Sequence, residues 1–266
     1  MIQPGRAPDA GGPPVPGGRP RLRRGAAVTA LVVALCGLGF AAHGVLTQVM
    51  PRRFTALQQR QIQAWEIAGR WRRLPASAIF PAAVSYQLPA TALDGSANLP
   101  LTARRLGIGP AVGCARGTDP AAARVLARYG CTTLLRATYA DSTGSMLVTI
   151  GVAVLPSGPA AAAAGRGLAG LPRRNEVGTV APAAVPGTLA AGFRVTNQQL
   201  SWDTRAGSYV ILATAGYADG RPQEEVAADP YLFAEMTSLE QGLGGAVSGV
   251  LGQPPPPPAC PRAPGC

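Results

Sequence analysis

The stretch from Gly25 to Val45 carries no formally charged residue and limits the fold more than any other feature. At 1.5 Å per residue, a helix of about 20 residues crosses the hydrocarbon core of a bilayer. Four arginines come directly before it: Arg19, Arg21, Arg23 and Arg24. Because cytoplasmic flanks carry the excess of positive charge, we predict a transmembrane helix over residues 25–50. Residues 1–24 are then a disordered cytoplasmic tail, and the rest of the chain is extracytoplasmic.

A cleaved signal peptide is the alternative for this segment, and cleavage would make the protein secreted. Two tripeptides have the small–x–small form of a cleavage site: Gly39-Phe40-Ala41 and Ala42-His43-Gly44. The apolar run, however, is longer than the roughly 7–15 residues of a signal peptide's apolar region. We therefore favour an uncleaved signal-anchor in the cell membrane.

One face of the predicted transmembrane helix carries small residues at helical spacing: Ala30, Ala34, Gly37, Ala41 and Gly44. Small residues let transmembrane helices approach closely, so this face would permit a homodimer through the membrane segment. The abundance of Ala and Gly throughout the chain explains the same pattern without a dimer.

Residues 51–75 combine helical periodicity with positive charge, and Pro51 and Pro75 suit the start and end of a helix. Residues 52–73 hold six arginines and one glutamate, a net charge of +5 (6 − 1). Tryptophan and arginine together are typical of helices that lie on anionic lipid. We predict an amphipathic basic stalk helix whose membrane-interface candidates are Arg52, Arg53, Trp65, Trp71, Arg72 and Arg73. The alternative is a rigid stalk whose apolar face packs on its own domain.

Residues 76–252 are predicted to form an extracytoplasmic α+β domain. Apolar alternation and turn signals predict strands at 84–88, 131–140, 145–155, 193–202 and 208–218, and helices at 120–129, 159–171 and 230–250. This order indicates an antiparallel sheet that carries helices on one face. Residues 253–266 include five consecutive prolines and are predicted to be a Pro-rich disordered tail.

The segment between Cys114 and Cys131 carries the start and stop signals of one helix. The signals are Thr118 or Asp119 as the cap, Pro120 at the first position and Gly130 as a left-handed stop. The helix is about 15 Å long, and residues 115–119 extend roughly 17 Å, so the connection can run back and bring the two cysteines together. Thiols outside the membrane are usually oxidised, and zinc would need two more ligands. We therefore predict a structural disulfide between Cys114 and Cys131.

The side-chain inventory excludes several catalytic classes. All 24 basic residues are arginine, and the one histidine, His43, lies in the apolar stretch. Ser-His-Asp, Cys-His and Ser-Lys machinery is therefore unavailable within this chain. The aspartates that a paired-carboxylate mechanism could use all lie at predicted caps or turns, where aspartate is structural: Asp119, Asp141, Asp203 and Asp219. We predict no enzymatic activity, no cofactor and no metal. Outside residues 52–73 the arginines are scattered, which argues against nucleic-acid binding.

Three segments resemble uncharacterised single-pass membrane proteins of actinobacteria with an extracytoplasmic domain. They are "RRFTALQQRQIQAWEIAGRWRRLPASAIFP", "CARGTDPAAARVLARYGC" and "LLRATYADSTG". The resemblance spans roughly residues 50–250 and implies topology without an activity. We expect a membrane-anchored protein of the cell envelope, a non-catalytic interaction or assembly factor that binds another envelope protein. The alternative is a sensor-like domain for a small ligand, which needs a deep apolar pocket, whereas an interaction protein needs an exposed patch or groove.

Overall fold

A computed structural model describes residues 21–49, 54–90, 98–171, 180–222 and 230–255. The chain divides into two compact units, one of residues 1–53 with 259–266 and one of residues 54–258. Several predictions therefore fall outside the described residues: the tail over residues 1–20, the interface candidates Arg52 and Arg53, and the Pro-rich tail from residue 256, with Cys260 and Cys266.

The first unit contains one long helix, α1 (Arg21–Val49). It begins four residues before the predicted start, so Arg21, Arg23 and Arg24 belong to its first turns. Its window Val28–Val45 has a mean hydropathy of 2.0, and the helix is long and apolar enough to cross a membrane.

The second unit begins with α2 (Ala56–Arg73), the helix predicted over residues 51–75. Thr55 and Gln58 form a reciprocal capping box, in which each side chain accepts a hydrogen bond from the backbone N–H of the other. This arrangement satisfies donors that have no partner within the helix. The helix ends before Pro75, since a residue preceding proline disfavours helical backbone angles.

Six strands form one antiparallel sheet in the order β1-β2-β3-β4-β6-β5, which confirms the α+β class. The strands are β1 (Ala83–Leu88), β2 (Leu99–Ile108), β3 (Thr133–Ala140), β4 (Met146–Val154), β5 (Gln198–Ala206) and β6 (Tyr209–Tyr217). The strand β2 was not predicted, because Pro100, two arginines and Gly107 interrupt its apolar pattern. β5 begins five residues later than predicted, since 3-10 turns occupy Leu189–Gly192 and Val195–Asn197.

Helices cover both faces of the sheet, so the expectation of helices on one face is wrong. Besides α2, the unit contains α3 (Ala76–Ile79), α4 (Cys114–Gly117), α5 (Pro120–Arg128), α6 (Gly158–Ala169) and α7 (Pro230–Gly252). α7 shares a core with Tyr209, Ile211 and Ala213 of β6. α5 and α6 share the opposite core with Val210 and Leu212. All nine residues of β4 and all nine of β6 are buried, and strands that are apolar throughout require cover on both faces.

Candidate functional site

The stalk helix α2 is fastened to the sheet by the phenol of Tyr209. The Tyr209 hydroxyl donates to the carbonyl of Ile67 at 2.5 Å and accepts from the backbone N–H of Trp71 at 3.2 Å. Burial raises the pKa of this phenol. A buried hydroxyl without partners is costly, so these bonds favour one position of α2 on the domain.

A second attachment joins α2 to the end of α7. Arg70 Nη1 donates to the carbonyls of Val250 at 3.0 Å, Leu251 at 3.2 Å and Gln253 at 2.7 Å. The last carbonyls of a helix have no partner within it, and they attract cations. Arg70 therefore caps α7 and holds α2 against it.

The contacts of α2 support one of the two interpretations of the stalk, that of a helix packed on its own domain, for part of its apolar residues. Ile67, Trp71 and Leu74 pack against the main core, as a helix seated on its own domain requires. Trp65 and Leu57 remain 72% and 66% exposed, respectively. Some apolar residues of α2 thus pack on the domain, and others lie on the outer surface of the helix.

A groove of about 500 Å³ lies between α2 and one end of the sheet. Its first wall consists of the α2 residues Trp65, Ala68, Gly69, Trp71, Arg72 and Arg73. Its second wall consists of Gly130, Thr132, Val154, Leu155 and Pro156. We call this feature the Trp–Arg groove. It brings together all four predicted interface residues that lie within the described ranges.

Each of the two arginines in the groove lies over a tryptophan ring. The Arg72 Cζ atom is 4.8 Å from the ring centroid of Trp71, and the Arg73 Cζ atom is 5.6 Å from that of Trp65. Arg73 also donates a hydrogen bond to the backbone carbonyl of Glu66. Cation–π contacts of this kind favour stacked guanidinium positions. Among the described residues that line the groove, these two are cationic and none is acidic, so the surface that they form is aromatic and basic.

The predicted disulfide is present and supports the second wall of the groove. Cys114 and Cys131 are bonded, with their Cα atoms 6.2 Å apart, and Cys131 lies between the wall residues Gly130 and Thr132. The bond therefore ties this wall to α4, on the N-terminal side of α5. Residues 115–117, predicted to be extended, instead belong to the single helical turn of α4, which begins at Cys114.

The helix enclosed by the two cysteines begins and ends as predicted. Asp119 Oδ1 accepts from the backbone N–H groups of Ala121 at 2.8 Å and Ala122 at 3.0 Å. Burial raises the pKa of the Asp119 carboxyl, and the cap hydrogen bonds oppose this shift. Gly130 has a φ of 81°, a left-handed angle that glycine adopts without strain. This short turn places Thr132 in the groove wall.

Three of the four aspartates considered for catalysis have structural roles. Asp119 caps α5, and Asp141 accepts from Met146 N at 2.7 Å in the β3–β4 turn. Asp219 pairs with Arg221, whose hydrogen bonds lower the pKa of that carboxyl. Asp203 lies within β5, so its predicted position at a cap or turn is wrong. Within the described ranges, no three His, Cys, Asp or Glu side chains lie where they could hold a metal ion.

Two acidic residues of α7 have surroundings that sequence analysis missed. The Tyr86 hydroxyl donates to Glu235 Oε1 at 3.2 Å, and burial raises the pKa of both groups. Glu240 is fully buried, and neither of its carboxyl oxygens has a hydrogen-bond partner in the part of the chain that the structure describes. Burial raises the pKa of Glu240 to about 8. A protonated carboxyl is the form that such a site favours at neutral pH.

The attachments of α2 were also missed, since they join residues far apart in the chain. Tyr209 and Ile67 are 142 positions apart, and Arg70 and Val250 are 180 positions apart. No protein-family model, curated protein or solved structure matches the chain. The features that bear on function are therefore the geometry of the Trp–Arg groove and the position of α2.

Proposed function

We propose that this chain is a membrane-anchored protein of the cell envelope, like the actinobacterial single-pass proteins that it resembles. Its extracytoplasmic α+β domain is a non-catalytic interaction or assembly module for another envelope protein. The observation that carries the proposal is the attachment of α2: the helix that follows the apolar segment is part of the domain.

The proposed topology places α1 across the bilayer with its N-terminus in the cytoplasm. The arginines at the start of α1 support this direction, because cytoplasmic flanks carry the positive excess. In the sequence, six residues separate α1 from α2, and a chain of six residues spans at most roughly 20 Å. A domain that includes α2 would thus stay close to the outer surface of the membrane, where an envelope partner can reach it.

A sensor-like domain for a small ligand is the second candidate function. The volume of the Trp–Arg groove, about 500 Å³, falls among typical small-molecule sites, which measure roughly 300–1,000 Å³. Its apolar wall and two cations would suit an amphipathic anion. In this case the domain would report on the ligand instead of binding a protein, and a soluble ligand would raise its melting temperature.

Cysteine labelling in intact cells tests the proposed topology. The background carries Cys36→Ser, Cys260→Ser and Cys266→Ser, so that Cys114 and Cys131 remain as the disulfide. A membrane-impermeant maleimide should label Arg205→Cys and should label Ala10→Cys only after lysis. Labelling of Ala10→Cys but not of Arg205→Cys in intact cells would show that the orientation is opposite to the proposed one. Loss of an N-terminal tag from the mature chain, with release of the domain into the medium, would establish cleavage and a secreted protein.

A further inference from the structure

We propose that the Trp–Arg groove binds the phosphate-bearing headgroup of an anionic phospholipid from the outer leaflet around α1. The inference rests on the proposed topology, which places α2 beside that leaflet. It adds a second membrane contact to the anchor, at a defined site in the folded domain. The domain would then lie on the bilayer along α2 instead of standing away from it.

The charge and chemistry of the groove favour a phosphate. Arg72 and Arg73 lie in its wall, and none of the lining residues that the structure describes is acidic. A guanidinium that stacks its face on an indole keeps N–H groups at its edge, and these match the geometry of phosphate oxygens. α2 contains four arginines and one acidic residue, Glu66, which gives the helix a net charge of +3 (4 − 1). A negatively charged surface would attract this helix.

The apolar parts of the groove favour a lipid over a free anion. Trp65 is 72% exposed, and tryptophan is enriched where membrane meets water because one end of it is apolar and the other polar. Val154, Leu155 and Pro156 form an apolar surface on the opposite wall. A phospholipid offers phosphate to the arginines and glycerol and acyl carbons to these residues.

The inner side of α2 is already occupied by contacts with the rest of the domain. Tyr209 and the α7 carbonyls hold its inner side through Ile67, Trp71 and Arg70. The side that remains open presents Leu57, Trp65 and Arg72. Since the inner side packs on the domain, α2 does not bind lipid as an isolated amphipathic helix would, and the lipid site includes residues of the sheet end.

Lipid-specific quenching of tryptophan fluorescence tests the inference. The full chain is reconstituted into nanodiscs of phosphatidylcholine with a minority of phosphatidylglycerol, and bromine is placed on the acyl chains of one lipid or the other. Brominated phosphatidylglycerol should quench more strongly than the same amount of brominated phosphatidylcholine. Trp65→Phe should remove most of this difference, since Trp71 and Trp202 are partly buried.

Charge variants show whether the preference belongs to the groove. Each basic residue near an anionic surface changes its affinity roughly fivefold, so Arg72→Gln with Arg73→Gln should lower the preference roughly ten- to thirtyfold. The matched control, Arg104→Gln with Arg194→Gln, removes the same charge from exposed positions outside the groove and should keep the preference. Both double variants should melt with the parent, because the four arginines are exposed.

The outcomes separate the inference from the proposed topology. If the chain does not stay with the discs, both the proposed membrane anchor and the proposed lipid site are overturned. If it stays but shows equal quenching by the two lipids, the lipid site alone is overturned. The lipid site is also overturned if the groove and control variants lose the preference equally, because the attraction would then come from net charge.

Discussion

The hydroxyl of Tyr209, at the first position of β6, donates a 2.5 Å hydrogen bond to the carbonyl of Ile67 in α2. The same oxygen accepts from Trp71 N. One side chain of the sheet thus holds the last turns of the helix that follows the apolar segment. Through this contact, the position of α2 depends on the fold of the domain and not on the helix alone.

Replacing Tyr209 with Phe should loosen α2 and destabilise the domain. The variant loses the hydrogen bonds that the Tyr209 hydroxyl makes with Ile67 O and Trp71 N, at a cost of about 1–3 kcal/mol. Denaturant unfolding measures the loss, and hydrogen exchange should show faster exchange in α2. Tyr129→Phe is the matched control, because its ring packs on the opposite face of the sheet. Equal exchange in parent and variant would show that Tyr209 does not hold the helix.

Removing the disulfide should lower stability without affecting membrane attachment. Cys114→Ser with Cys131→Ser frees the unfolded chain and should cost about 2–4 kcal/mol. For a domain of roughly 150–250 residues, each kcal/mol lowers the melting temperature by about 2–4 °C. Cys36→Ser is the control and should melt with the parent. Alkylation of both thiols in native, unreduced protein would contradict the bond.

The buried carboxyl of Glu240 should make stability fall as pH rises. Its pKa is about 8 in the folded protein and 4.5 in its ordinary state, so the folded state holds the proton more tightly. Between these two values the unfolded state binds fewer protons, and the free energy of unfolding falls by roughly 1 kcal/mol per pH unit. The contribution is most favourable below pH 4.5 and is lost by about pH 8.

Glu240→Gln should remove this pH dependence, because the amide cannot ionise. Denaturant unfolding at several pH values should show that the free energy of unfolding of the variant rises relative to that of the parent between pH 4.5 and pH 8. Glu66→Gln in α2 is the control and should follow the parent at each pH. A constant difference between parent and Glu240→Gln would mean that this carboxyl does not titrate between the two states.

The boundary of the dispensable C-terminal tail should lie beyond Gln253. Its carbonyl accepts from Arg70, so a chain that ends at Gly252 loses one of the contacts that hold α2. Deletion of residues 256–266 should leave the melting temperature unchanged, whereas deletion of residues 253–266 should lower it. Scanning calorimetry compares the two truncations. A large drop with the shorter deletion would show that the tail contributes to folding.

Local signals in the sequence predicted local structure well. Asp119, Pro120 and Gly130 bound α5 as predicted, since capping and left-handed turns depend on a few neighbouring residues. The two hairpins follow from apolar runs on either side of short turns. The disulfide followed from the reach of the chain between the two cysteines and from the lack of histidine outside the apolar segment.

Features that depend on distant contacts could not be predicted. The pattern of α2 gave two readings, and only the contacts of Ile67 and Trp71 with the sheet show that Trp65 is the ring left exposed. The second wall of the groove comes from the ends of β3 and β4, which no motif connects to α2. Sequence analysis did not single out Glu240, although it lies at helical spacing from the buried residues Met236, Leu243 and Val247; that no described side chain pairs with its carboxyl depends on the packing around α7.

The depth of α2 at the membrane tests the central claim most directly. The full chain, with Cys36, Cys260 and Cys266 changed to Ser, is spin-labelled at Leu57→Cys or Arg104→Cys in nanodiscs that contain phosphatidylglycerol. Accessibility to lipid-soluble oxygen and to a water-soluble nickel complex reports the position of each label. We predict that the Leu57 label lies at the lipid interface and the Arg104 label in water. Two labels that are equally exposed to the nickel complex would contradict a domain held at the membrane along α2.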